Sequence, residues 1–224
     1  MRALVLSLTL LLFGACTSDG PQRPDPNFTP EGPPRVQADV IARHAEQFES
    51  ELASRPPGSQ EEFAAATYLT GHLQQSGYVV RLEDVPVADT VRSSDVIAIP
   101  PSGESPEVVV TVSFDRPIGS PDDDGSDIGA FLEVARALRV EAGNHNVQFV
   151  ALGAQSDDML GARRFARLLL DAEVKARIIH LANTEQEAGL VEPLEQAGFP
   201  VERFTGAGAD IANAVFASLT GREN

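Results

Sequence analysis

The chain has 224 residues, with 33 Asp and Glu against 17 Lys and Arg, and the resulting net charge of −16 excludes nucleic acid and anionic membrane surfaces as electrostatic partners. A single cysteine excludes an intramolecular disulfide, so the 42% of hydrophobic residues must supply the core. No internal repeat is visible, which excludes solenoid and propeller architectures.

Met1 and Arg2 precede an apolar run over residues 3–15, which reads as a secretory signal too short to span a bilayer. Cys16 follows at once, and the LFGAC that it closes resembles the lipobox of bacterial lipoproteins. Cys16 is therefore the expected lipidation site, and the protein is expected in the bacterial cell envelope, exported and lipid-anchored to a membrane. More than one acyl chain suffices for this, at about 0.8 kcal/mol per buried CH₂. Residues 16–34 are Pro, Gly, Asp and Asn with almost nothing apolar, which predicts a disordered tether ahead of one domain over residues 35–224.

The domain opens with a helix predicted over residues 36–53, where Val36, Val40, Ile41, Phe48 and Leu52 fall near one face. Arg55-Pro56-Pro57-Gly58 ends it. Ser59 with Glu62 predicts a capping box for a second helix carrying Phe63, Ala66, Tyr68, Leu69 and Leu73, and Gly77 stops that helix. Residues 78–87 read as a strand near an edge and 95–99 as another, closed by Pro100 and Pro101.

The stretch that organises the chain is EVVVTVSFDRPIGSPDDDGSDIGAFLEVAR, residues 107–136. Its β-branched run predicts a buried strand to Phe114, and Ile128, Phe131, Leu132, Ala135 and Leu138 predict a helix from Ser126, capped by Ser126 or Asp127. Ligands in open α/β sheets bind beyond the carboxyl ends of strands, so a site is expected in the loop 115–127. Residues 147–152 and 174–181 read as strands, and 159–170 and 187–196 as helices. A last strand over 199–204 and helix over 209–219 complete the pattern. This alternation predicts an α/β fold, a three-layer α/β/α sandwich with a largely parallel central sheet.

Arg55-Pro-Pro-Gly-Ser, the GYVV and DVIA strands, SFD, PDDDGS, LEVARAL, VQFVALGAQ and LGARRFA occur in an order that resembles the zinc aminopeptidase family of bacterial leucyl aminopeptidase and the glutamate carboxypeptidases. The resemblance runs collinearly from about residue 55 to 181. It implies a two-zinc site in which a bridging carboxylate and His and acidic ligands hold the metals and a Glu takes a proton from water. Carried over residue by residue, it puts Asp123 at the bridging position, Asp115 at the orienting position and Ser113 where the first His ligand belongs. Gln155 stands at the general-base position and Ser156 at the adjacent ligand. His180 lies beside the next acidic position, and no His follows it. An amide takes up no proton near neutral pH and a hydroxyl is a poor zinc ligand, so the metal site is expected to be largely lost and no cofactor is expected.

His44 and His72, in predicted helices, and His145, in a polar turn, are expected as solvated or capped residues rather than ligands. Asp115, Asp122, Asp123, Asp124, Asp127, Asp157 and Asp158 are placed to cap helices, or to converge on one rim and hold a hard cation. Three function classes follow. The first is a lipid-anchored protein with a non-catalytic peptidase-like domain that binds a peptide or protein partner. The second is an active metallopeptidase with a rearranged zinc site using Asp123 and His180. The third is a cation-stabilised structural module.

Overall fold

The computed structural model describes residues 30–100, 102–120, 125–141 and 145–221; the expected signal, Cys16 and Asp122, Asp123 and Asp124 lie outside them. One six-stranded sheet has the order β1-β2-β4-β3-β5-β6. Its centre is β3 (Val108–Ser113), paired in parallel with β4 (Val147–Leu152) and β5 (Arg177–Ala182), and β6 (Val201–Thr205) extends it in parallel. At the other side β1 (Val79–Pro86) and β2 (Arg92–Ile99) add on antiparallel.

Successive side chains of a strand point to opposite faces, and this divides the core in two. Val110, Val112, Phe149, Ile179 and Leu181 pack on one face with Ile41 of α1 (Ala38–Glu51), Leu69 of α2 (Gln60–Gln75), Phe131 of α3 (Gly125–Val140) and Val215 of α7 (Gly208–Thr220). Val109, Val150, Leu152 and Ile178 pack on the other with Phe165 and Leu169 of α4 (Leu160–Asp171) and Leu194 of α6 (Glu192–Gln196). The result is the expected α/β/α sandwich. Every residue of β4 is buried, as its apolar run requires when helices cover both faces.

Two expectations are corrected. The single helix over 187–196 is instead α5 (Glu185–Ala188), a 3₁₀ turn (Gly189–Val191) and α6. Thr184 starts α5 with a full capping box to Glu187, and Pro193 sits in the first turn of α6, so two start signals lie within one apolar pattern. The end of the expected tether is also tied down. Arg136 on α3 donates to the carbonyls of Glu31, Pro33 and Arg35 at 3.1, 3.2 and 2.9 Å. Its partner Glu133, fully buried, accepts from Arg136 at 2.7 Å and from the backbone N–H of Gln37 at 2.8 Å. Residues 31–35 thus lie as a strap along α3.

Candidate functional site

Beyond the carboxyl ends of β3 and β4 the chain forms two loops that face each other, one starting at Phe114-Asp115 and the other at Gly153. Asp115 joins them. Its carboxylate accepts the backbone N–H of Gln155 at 2.6 Å, the backbone N–H of Ser156 at 3.0 Å and the Ser156 hydroxyl at 2.5 Å. Burial pushes its pKa up, against the lowering effect of these hydrogen bonds. A cavity of about 320 Å³ lies over this clasp, lined by Asp115, Arg116, Ser120, Gln155, Ser156 and Glu187 among others.

Gln155, which the resemblance puts at the general-base position, is 2% exposed. Its Oε1 accepts the N–H of Ala162 at 2.9 Å and its Nε2 donates to the carbonyl of Leu190 at 3.0 Å. Both ends of the amide therefore hold backbone, one on α4 and one on the turn after α5. Ser113, at the first ligand position, has a buried hydroxyl with no hydrogen-bond partner among the described residues.

His180 does not face the cavity. It lies within β5 opposite Thr111 of β3, fully buried, with Nδ1 2.9 Å from the Thr111 hydroxyl and Nε2 3.3 Å from the carbonyl of Glu187. Burial lowers its pKa to about 4. Both ring nitrogens are engaged in joining strand to strand and strand to helix.

Three further buried ionisable residues, Arg55, Glu62 and Asp95, lie at this end of the sheet. Arg55 is fully buried; its Nε donates to the carbonyl of Phe114 at 2.6 Å, its Nη1 to that of Leu52, and its guanidinium lies 5.0 Å from the centre of the Phe48 ring. Its backbone also bridges to that of Arg116 through bonds of 2.8 and 2.9 Å. The motif Arg-Pro-Pro-Gly reads only as a turn, although an Arg before a stiff turn between two helices was its one signal. Glu62 forms half of the expected capping box. Ser59 accepts its N–H at 3.0 Å, but its own carboxylate takes the N–H of Gly58 at 2.5 Å, the Ser93 hydroxyl at 2.6 Å and the N–H of Ala154 at 3.3 Å. Asp95 accepts the N–H of Gly153 at 3.0 Å through Oδ1, while Oδ2 has no partner among the described residues. Burial pushes its pKa up to about 8. Gly161 lets α4 close against this loop, since a Cβ there would lie 2.1 Å from the carbonyl oxygen of Gly153.

The acidic rim is dispersed where it is described. Asp127 is buried in the first turn of α3, Asp157 and Asp158 are exposed, and Asp158 pairs with Arg163 at 3.3 Å. Among the described residues no group of three or more His, Cys, Asp or Glu is arranged to hold a metal ion. The described donors at the strand ends do not fit a dinuclear zinc centre: Asp115 already accepts three hydrogen bonds, His180 is turned inward, and Gln155 and Ser113 offer an amide and a hydroxyl. Of the two helical histidines expected as solvated or capped, His44 is buried and His72 half-buried. Their rings pack edge to face at 4.7 Å between α1 and α2, with His44 Nδ1 2.7 Å from the Tyr68 hydroxyl. Helical spacing alone could not tell which face of each helix would meet the other.

No family model matches the chain, and no curated protein matches it. Solved structures do. The glutaminyl cyclase of Fimbriiglobus ruber superposes with a TM-score of 0.67 at 14% identity, over 91% of this chain and 100% of that one. The zinc aminopeptidase BSAP of Bacillus subtilis gives 0.64 at 13%, over 76% and 85%. A leucine aminopeptidase precursor of Bacteroides thetaiotaomicron gives 0.56 at 16%, over 85% and 84%. What the chain shares with these proteins is their fold, an α/β sandwich of the zinc aminopeptidase and glutaminyl cyclase type.

Proposed function

We propose that this is a lipid-anchored protein of the bacterial envelope, held through Cys16, whose aminopeptidase-like domain binds a peptide or protein partner without hydrolysing it. The observation that carries the non-catalytic reading is Gln155. At the position where the resemblance calls for a proton-accepting Glu, an amide uses its oxygen and its nitrogen to hold Ala162 and Leu190. A general base must reach the proton it removes and have a pKa near the working pH, and a buried amide bonded at both ends meets neither requirement. Asp115 adds to this, because its carboxylate closes the loop on Ser156. The cavity above it keeps its place at the strand ends and serves as the partner's binding site.

Calorimetric titration of Zn²⁺ into the purified protein tests the reading. It predicts no stoichiometric zinc binding. One or two zinc ions per chain, lost in Asp123→Ala, would establish a rearranged metal site and overturn it.

A further inference from the structure

Gly71 lies in the interior of α2, where a glycine costs roughly 1 kcal/mol relative to alanine. Packing does not account for it. A Cβ on Gly129 would lie 2.7 Å from the carbonyl oxygen of Ile41, and one on Gly208 would lie 2.5 Å from that of Ser126, so those helical glycines permit close approach. A Cβ on Gly71 would meet nothing within 4 Å. It opens instead on a cleft of about 880 Å³ between α1, α2 and α3, on the opposite face of the sheet from His180 and within the size range of small-molecule sites.

The lining of this cleft has a definite chemistry. Val40 and Leu132 supply apolar wall, and His44, His72, Gln74 and Gln75 supply hydrogen-bonding groups. The charged residues of the lining are Glu31, Glu133, Arg43 and Arg136, and Arg43 is paired with Asp39 at 2.8 Å. Glu133 is already satisfied by Arg136 and Gln37. Burial lowers the pKa of His44 to about 4, with His72 and Arg43 adding to the shift, and burial lowers that of His72 too, so both rings are neutral at pH 7. A neutral imidazole offers one donor and one acceptor. Tyr68 engages Nδ1 of His44, which leaves Nε2 as the second polar atom of a ring that is 9% exposed.

We propose that the cleft between α1, α2 and α3 binds a small uncharged ligand carrying neighbouring hydrogen-bond donors and acceptors, of the class of a neutral mono- or disaccharide, with Gly71 making room for it. An anion would meet the field of a chain with net charge −16, and Glu133, the buried carboxylate of the lining, is already held by Arg136 and Gln37. Neutral imidazoles and amides suit hydroxyl groups, which also both give and accept.

The test is an NMR titration of the imidazole signals of the purified protein at pH 7 with N-acetylglucosamine and its β-1,4-linked dimer at millimolar concentrations. The proposal expects saturable shifts of the His44 and His72 rings and none at His180. Gly71→Met should fill the space and weaken binding at least about tenfold without lowering Tm, because Met is the better helix former. His72→Leu, which removes hydrogen-bonding groups without filling the cleft, should weaken binding similarly, and it keeps the test open if Gly71→Met fails to fold. Absence of saturable shifts, preference for glucuronate or glucosamine, or unchanged affinity in a folded Gly71→Met or His72→Leu would overturn the proposal.

Discussion

Gln155 holds two segments of backbone together from just beyond the end of β4. Truncating it would leave the buried N–H of Ala162 without its partner, a loss that costs about 1 to 3 kcal/mol, while the carbonyl of Leu190 at the cavity wall can turn to water. Gln155→Ala is therefore expected to lower the unfolding free energy by about 1 to 3 kcal/mol in a denaturant titration. A change within a few tenths of a kcal/mol would show that the amide is dispensable. Asp95 makes the opposite case. Its folded pKa of about 8 lies above the unfolded value of 3.8, so the folded state keeps a proton that the unfolded state has already released. Stability from this group is full below pH 3.8 and declines as pH rises towards 8, by up to about 6 kcal/mol at 1.36 kcal/mol per unit of pKa. Asp95→Asn should flatten that decline in unfolding curves measured between pH 5 and pH 8; a variant with the wild-type slope would refute the assignment. The loop that begins at Gly153 was legible in the sequence, because Gly153 ends the apolar run of β4, but the bonds of the Gln155 amide were not. The burial of Asp95 was not, since DVIA reads as a strand whichever residue faces inward.

At the scale of elements, the strap on α3 depends on a buried ion pair. Arg136→Met would leave Glu133, fully buried, with an uncompensated charge, a change that typically costs about 3 to 5 kcal/mol. It should also release the carbonyls of Glu31, Pro33 and Arg35. Hydrogen exchange is expected to quicken at Gln37, whose N–H Glu133 holds, and unchanged protection there would contradict the coupling. The strap was missed because residues 31–35 are polar and Pro-rich, and what orders them is a side chain about a hundred residues away. Strands β3 and β4 were legible to within a residue, since each is an apolar run too short for a helix and bounded by polar residues or glycine. The break at Gly189–Val191 was not, because α5 and α6 continue one apolar period while local caps divide it.

For the molecule as a whole, the proposed anchor can be tested apart from the domain. If Cys16 carries the lipid, Cys16→Ala should move the protein from the membrane fraction to the soluble fraction on cell fractionation; a variant that stays with the membrane would sink the anchor. The layered fold was legible because strand and helix patterns alternate, and the solved structures share it at 13 to 16% identity. Which chemistry that fold still supports is a question for its strand ends, where Asp115, Gln155 and His180 are committed to hydrogen bonds within the protein. The most direct test is turnover by the purified protein with added Zn²⁺, wild type against Asp123→Ala, on aminoacyl arylamides, short peptides and peptides with an N-terminal glutamine. The account predicts no turnover by either protein from mild acid to mild base. Zinc-dependent release of product by the wild type, abolished in Asp123→Ala, would contradict it.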